Sequence, residues 1–160
     1  MKPHFASRAG SEPGILNRPL PATGRAKPFA LLLKYRTGID MTEKLLIVED
    51  EDTLRESLKR VLTSEGYAVD GVGSSEEALR LLEENTYDLI ITDIILPGID
   101  GIQLLKKCRE KNPQVKVIII TAFASIETAV EAIRSGAFDY LVKPIMHHEI
   151  NDVIRKALQA

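Results

Sequence analysis

From residue 41 onward, five short apolar runs alternate with five stretches of helical period. The runs span residues 44–48, 68–72, 89–92, 117–121 and 139–142. A strand wetted on one face alternates apolar and polar residues. Leu89-Ile90-Ile91 and Val117-Ile118-Ile119-Ile120 do not, so both of their faces must be covered. The helical stripes between the runs are Leu54, Leu58, Val61 and Leu62; then Ala78, Leu81 and Leu82; then Ile102, Leu105 and Cys108. The fourth is Ile126, Ala129, Val130 and Ile133, at i, i+3, i+4 and i+7, and the last is Ile150, Val153, Ile154, Ala157 and Leu158. Gly66 suits a helix C-terminal stop, Ser74 with Glu77 has the spacing of a capping box, and Pro97-Gly98 marks a turn. Strands separated by helices run parallel, because a parallel crossover needs a long connection. Five units are too few for an eight-stranded barrel. What remains is an α/β, doubly wound (βα)5 open sheet, whose ligands bind beyond the carboxyl ends of the strands.

The chain has 160 residues and suits one domain of ordinary size. A formal net charge of −2 argues against a globally basic nucleic-acid binder. A single cysteine, Cys108, excludes an internal disulfide framework and any multi-cysteine metal site. Nothing approaches the roughly 20 apolar residues of a membrane helix. A cytoplasmic, reducing setting is expected, with no membrane partner and no direct nucleic-acid binding.

Charge divides the chain unevenly. Residues 1–40 hold seven basic side chains against Glu12 and Asp40, and five of the eight prolines. The remainder therefore carries −7. That leader has neither helical nor strand period and too little apolar surface to offset its ordering entropy. Its one apolar run, residues 29–33, is short for a signal-peptide core and has no small-residue cleavage site after it. We read residues 1–40 as a disordered basic leader, or as sequence upstream of a natural start at Met41, and residues 41–160 as the domain.

Chemistry collects at the strand ends. The first strand runs into Glu49-Asp50, the third into Asp93, the fourth into Thr121 and the fifth into Lys143-Pro144. Carboxylates brought to one sheet edge repel unless a cation neutralises them. Their hard oxygens suit Mg²⁺. A carboxylate beside a bound cation is a nucleophile for phosphoryl transfer. A lysine and a threonine hydroxyl can hold the phosphoryl oxygens.

Four pieces in order, LLIVEDE at 45–51, DLIITDIILPGIDG at 88–101, IIITA at 118–122 and GAFDYLVKP at 136–144, resemble the receiver domain of two-component response regulators. The likeness covers 120 of the 160 residues. The segment FASIETAVEAIRSGAFDY is also similar to receivers of nitrogen-regulation-type transcription activators. The resemblance implies a flavodoxin-like sheet of strand order 2-1-3-4-5. It places the phosphoacceptor at Asp93, and Mg²⁺, with Mn²⁺ as a substitute, on Glu49, Asp50, Asp93 and the backbone carbonyl of Ile95. It assigns phosphoryl binding to Thr121, Ala122 and Lys143, and a switch to Thr121 and Tyr140. It implies a usually cis Lys-Pro bond. Glu49 is a common variant of the first acid. The implied function is signalling rather than metabolic catalysis. The chain takes a phosphoryl group from a sensor histidine kinase or phosphotransfer protein, catalyses its own phosphotransfer and dephosphorylation, and changes an output surface. The output partner or output domain is unknown, and a phosphorylation-dependent homodimer is implied.

Plainer readings exist for each residue. Residues 49–52 have the look of a helix-start charge run, stabilised by the macrodipole; Glu51 and Asp52 are assigned that role. Adjacent His147 and His148 do not share a helix face and are read as solvated. Cys108 is read as core, and Gly98 and Gly101 as flanking a turn, without a phosphate-cradling spacing. The alternative function is a phosphorylation-independent binding module of the same fold. An aspartate-nucleophile phosphatase of the haloacid dehalogenase type needs a second aspartate where Ile95 stands. A flavin binder needs a less acidic first loop.

Overall fold

A computed structural model describes residues 42–160. The readings of residues 1–40 and of Met41 as a start lie outside that range. Five strands, β1 (Lys44–Val48), β2 (Ala68–Val72), β3 (Leu89–Asp93), β4 (Lys116–Thr121) and β5 (Asp139–Val142), form one sheet. Helices α1 (Asp52–Ser64), α2 (Ser75–Glu84), α3 (Gly101–Lys111), α4 (Ile126–Arg134) and α5 (His147–Gln159) connect and close it. All neighbouring strands are parallel, in the order β2-β1-β3-β4-β5.

Strand side chains divide by parity between two cores. Leu45, Ile47, Leu89, Ile91, Ile118 and Ile120 pack with Leu58 and Leu62 of α1 and with Ile150, Val153, Ile154 and Ala157 of α5. Leu46, Val48, Ile90, Val117 and Ile119 pack on the opposite face with Ala78 of α2, Ile102, Leu104, Leu105 and Cys108 of α3, and Ala132 of α4. β3 is buried along its whole length, which accounts for its unbroken apolar sequence.

Local signals set most of the element ends. Gly66 follows the end of α1 at φ +98°, a backbone region that only glycine enters without strain. Two expectations need correction. Ser74 Oγ accepts from the Glu77 N–H at 3.3 Å, but the Glu77 carboxylate reaches past it to the N–H of Gly73 at 3.0 Å, so no capping box closes. The closed box lies on α4, where Ser125 and Thr128 cap each other reciprocally. A threonine does there what a glutamate or glutamine usually does, which is why the sequence pattern did not reveal it. The second correction concerns the face of α4. Its stripe of Ile126, Val130 and Ile133 points to solvent, and Ala132 is its one fully buried residue.

Candidate functional site

The order reversal lies between β1 and β3, and the register carries their carboxyl ends to one edge. Val48 pairs with Thr92, Asp93 with Ile120, and Thr121 with Val142. The residue after each of these ends is thereby brought into the same neighbourhood. Glu49 is only 1% exposed and Asp93 6%, both unusual for carboxylates. Asp50 beside them is exposed.

Lys143 answers the question of what neutralises the buried acids. Its Nζ donates to Glu49 Oε2 and to Asp93 Oδ2, at 2.6 Å in each case. The lysine is carried there by the loop after β5, where its own N–H donates to the Thr121 carbonyl at 2.9 Å and the Lys143–Pro144 bond is cis. Backbone groups reach the other oxygen of each carboxylate. The Ile95 N–H donates to Asp93 Oδ1 at 3.1 Å, and the Glu51 N–H to Glu49 Oε1 at 3.2 Å.

Burial pushes the Glu49 carboxyl above the ordinary carboxylate range, against the opposing pull of Lys143 and the Glu51 N–H. For Lys143 burial acts downward, but the bonds to Asp93 and Glu49 outweigh it and move the amine up. Two short charged contacts thus set the direction for Lys143, and burial sets it for Glu49.

Glu49, Asp50 and Asp93 each offer a carboxylate oxygen, and these oxygens lie within 4.8 Å of one another. A donor set of hard oxygens of this kind suits Mg²⁺, which takes few protein ligands and keeps several waters. Thr121 is fully buried at the end of β4, and its hydroxyl accepts from the Phe123 N–H at 3.2 Å. Ala122 is exposed just beyond it. Tyr140 on β5 is half-buried, and its hydroxyl lies 2.8 Å from Thr128 Oγ1 of α4. The exposed His147 and His148 open α5, and Cys108 is buried, as the sequence implied.

Two contributors to the site had not been singled out for it. Arg55 of α1 donates to the Glu49 carbonyl at 2.8 Å and pairs with Asp52. Nothing in the local pattern marks it, since the contact spans six residues across a helix start. Gly101, expected only to flank a turn, opens α3 against the end of β3. A Cβ there would stand 2.0 Å from the Asp93 carbonyl oxygen. The poor helix former at the first position of a helix was the available signal.

No helix among the described residues is long and apolar enough to cross a membrane. Residues 45–155 match the family described as the response regulator receiver domain. Regulatory protein AtoC of Escherichia coli K12 is 40% identical over 116 residues, which are 72% of this chain and 25% of AtoC. DNA-binding transcriptional regulator NtrC of Klebsiella pneumoniae is 38% identical over 112 residues, 70% of this chain and 24% of NtrC. The chain thus spans about a quarter of the length of these relatives. The beryllofluoride-activated NtrC4 receiver domain dimer, solved in solution, is 33% identical with a TM-score of 0.70, covering 72% of this chain and 96% of that one. With the fold, the acidic edge and these likenesses in agreement, the chain belongs to the response-regulator receiver family of two-component systems.

Proposed function

We propose that Asp93 is the phosphoacceptor of this receiver and that a phosphohistidine on a sensor kinase or phosphotransfer protein is the donor. The observation that carries this reading is the pair of 2.6 Å contacts from Lys143 to Glu49 and Asp93. They set a cation against a nearly buried carboxylate at the open edge of the sheet, where a nucleophile is of use. In the transfer an Asp93 oxygen forms a bond to phosphorus, the P–N bond breaks, and the imidazole leaves with that electron pair.

Glu49, Asp50, Asp93 and the Ile95 carbonyl are the groups assigned to hold Mg²⁺. When bound, the cation neutralises charge on the transferring phosphoryl oxygens. Lys143 exchanges a carboxylate oxygen for a phosphoryl oxygen as a point charge. Thr121 turns its hydroxyl from the Phe123 N–H to the phosphoryl group, and exposed Ala122 leaves room for it. Movement of Thr121 opens space toward which Tyr140 turns. The site biases two pre-existing states and does not build a new one. Signalling, not turnover of a metabolite, is the role, and a cytoplasmic location follows from that of histidine-kinase donors.

The exposed apolar stripe of α4, together with exposed Val142 and Met146, is the surface whose shape reports the state. The NtrC4 receiver was solved as an activated dimer, which supports a phosphorylation-dependent homodimer here. An output domain or partner acts downstream of it.

Intact-mass analysis after incubation with acetyl phosphate, with and without Mg²⁺, tests the reading. The expected result is one phosphoryl group gained only with Mg²⁺, and none on a folded Asp93→Asn variant. Uptake by that variant would move the acceptor elsewhere. No uptake by the unaltered chain would leave a phosphorylation-independent binding module.

A further inference from the structure

Thr128 Oγ1 has more hydrogen-bonding neighbours than a hydroxyl can serve. It lies 3.2 Å from the Ser125 nitrogen, 3.1 Å from Ser125 Oγ, 3.2 Å from the Ser125 carbonyl oxygen and 2.8 Å from the Tyr140 hydroxyl. A hydroxyl has one proton to give and two lone pairs to offer. One lone pair goes to the Ser125 N–H, which can only donate. One donor and one acceptor place are left for three partners. Three of the four contacts belong to the cap of α4. The fourth, and shortest, is the only side-chain hydrogen bond of Tyr140 among the described residues and ties β5 to the first turn of α4.

We infer that Thr128 is a positioning residue for the tyrosine switch. Its hydroxyl latches Tyr140 in the orientation it has while Lys143 still bridges Glu49 and Asp93. When the ring leaves, the freed hydroxyl turns wholly to the α4 cap. Movement at the acceptor is thereby converted into a change at the start of the helix that carries Ile126, Val130 and Ile133. Thr128 touches no reacting atom and acts through Tyr140. The inference rests on Asp93 as acceptor and Tyr140 as switch.

Reciprocity supplies the test. A contact present in only one of two states opposes any ligand that favours the other, so breaking it tightens that ligand. For one neutral hydrogen bond the change is about two- to tenfold. The probe is beryllofluoride with Mg²⁺, titrated calorimetrically into the full chain. Tyr140→Phe and Thr128→Val are each expected to bind about two- to tenfold tighter than the unaltered chain. The double variant should bind no tighter than either single one, since both lose the same bond. Thr128→Ser keeps the hydroxyl and should restore the unaltered affinity. Ser125→Ala opens the capping box but removes a competitor of Tyr140 for Thr128 Oγ1, and so should not tighten binding, unlike loss of the latch.

Unchanged or weaker binding by Tyr140→Phe and Thr128→Val, or additive gains in the double variant, overturns the latch and leaves the acceptor standing. The acceptor reading fails separately. It does so if the unaltered chain does not bind beryllofluoride, or if Asp93→Asn binds it equally well, and the latch falls with it. Amide exchange over residues 126–129 separates the last case. Binding at Asp93 without any change there removes the switch and the latch together.

Discussion

Helices α3 and α4 lie on the same face of the sheet and each begins at a side-chain cap, yet they turn their large apolar residues in opposite directions. In α3, Ile102, Leu104, Leu105 and Cys108 are all buried. In α4, Ile126 is 80% exposed, Ile133 52% and Val130 41%. The difference follows from what each helix covers. α3 packs on β4 inside the sheet, whereas α4 packs on β5, an edge strand of four residues. Ala132 is the small buried contact of α4 with the core, and the larger residues are left outside. A helical apolar period locates a stripe, but it does not say that the stripe faces the sheet. On α3 the stripe is core. On α4 it is exposed surface.

The largest expected contrast is in stability. Leu105→Ala should cost about 2–5 kcal/mol, as a fully buried leucine does. Ile133→Ala should stay within about 0.5 kcal/mol. Urea unfolding midpoints measure both, and comparable losses would erase the distinction between the two helices.

Gly101→Ala comes next. Its Cβ would press on the Asp93 carbonyl, so about 1–3 kcal/mol should be lost along with the rate of phosphoryl uptake. Uptake at the unaltered rate would mean that the end of β3 does not depend on how α3 is seated.

The caps should be equal where the faces are not. Asp100 Oδ1 accepts from the Gln103 N–H at 2.8 Å, and Ser125 Oγ from the Thr128 N–H at 3.1 Å. Asp100→Ala and Ser125→Ala should each cost about 1 kcal/mol. A much smaller loss on α4 would indicate that its first turn is held by tertiary contacts and not by its cap.

The smallest effect concerns Cys108, on the buried face of α3. Burial pushes its thiol up to about 11 from an ordinary value of 9.0. The native protein should therefore stay unmodified by iodoacetamide at pH 8, and react once unfolded in urea. A raised value in the folded state means the thiol's contribution is present below about pH 9 and is lost as the pH rises through about 11. Rapid native alkylation would show that α3 opens readily.

Much of this protein is legible in its residues taken in order. The five runs became five strands, and the inner three hold unbroken apolar stretches because a parallel strand covered on both sides has no room for polar alternation. Glu49, Asp50, Asp93 and Lys143 converge because each ends or follows a strand, and parallel strands end at one edge. Those inferences depend on local period and on a topological rule that any sequence of this pattern obeys.

Tertiary structure decided the rest. Lys143 bridges residues 94 and 50 positions away, and no local pattern encodes which oxygens it takes. The outward turn of α4 depends on the narrowness of the edge strand beneath it. The bond from Thr128 to Tyr140 depends on where β5 sets its ring. Period is a property of neighbours along the chain. Orientation and partnership are settled only when distant segments compete for the same space and the same hydrogen bonds.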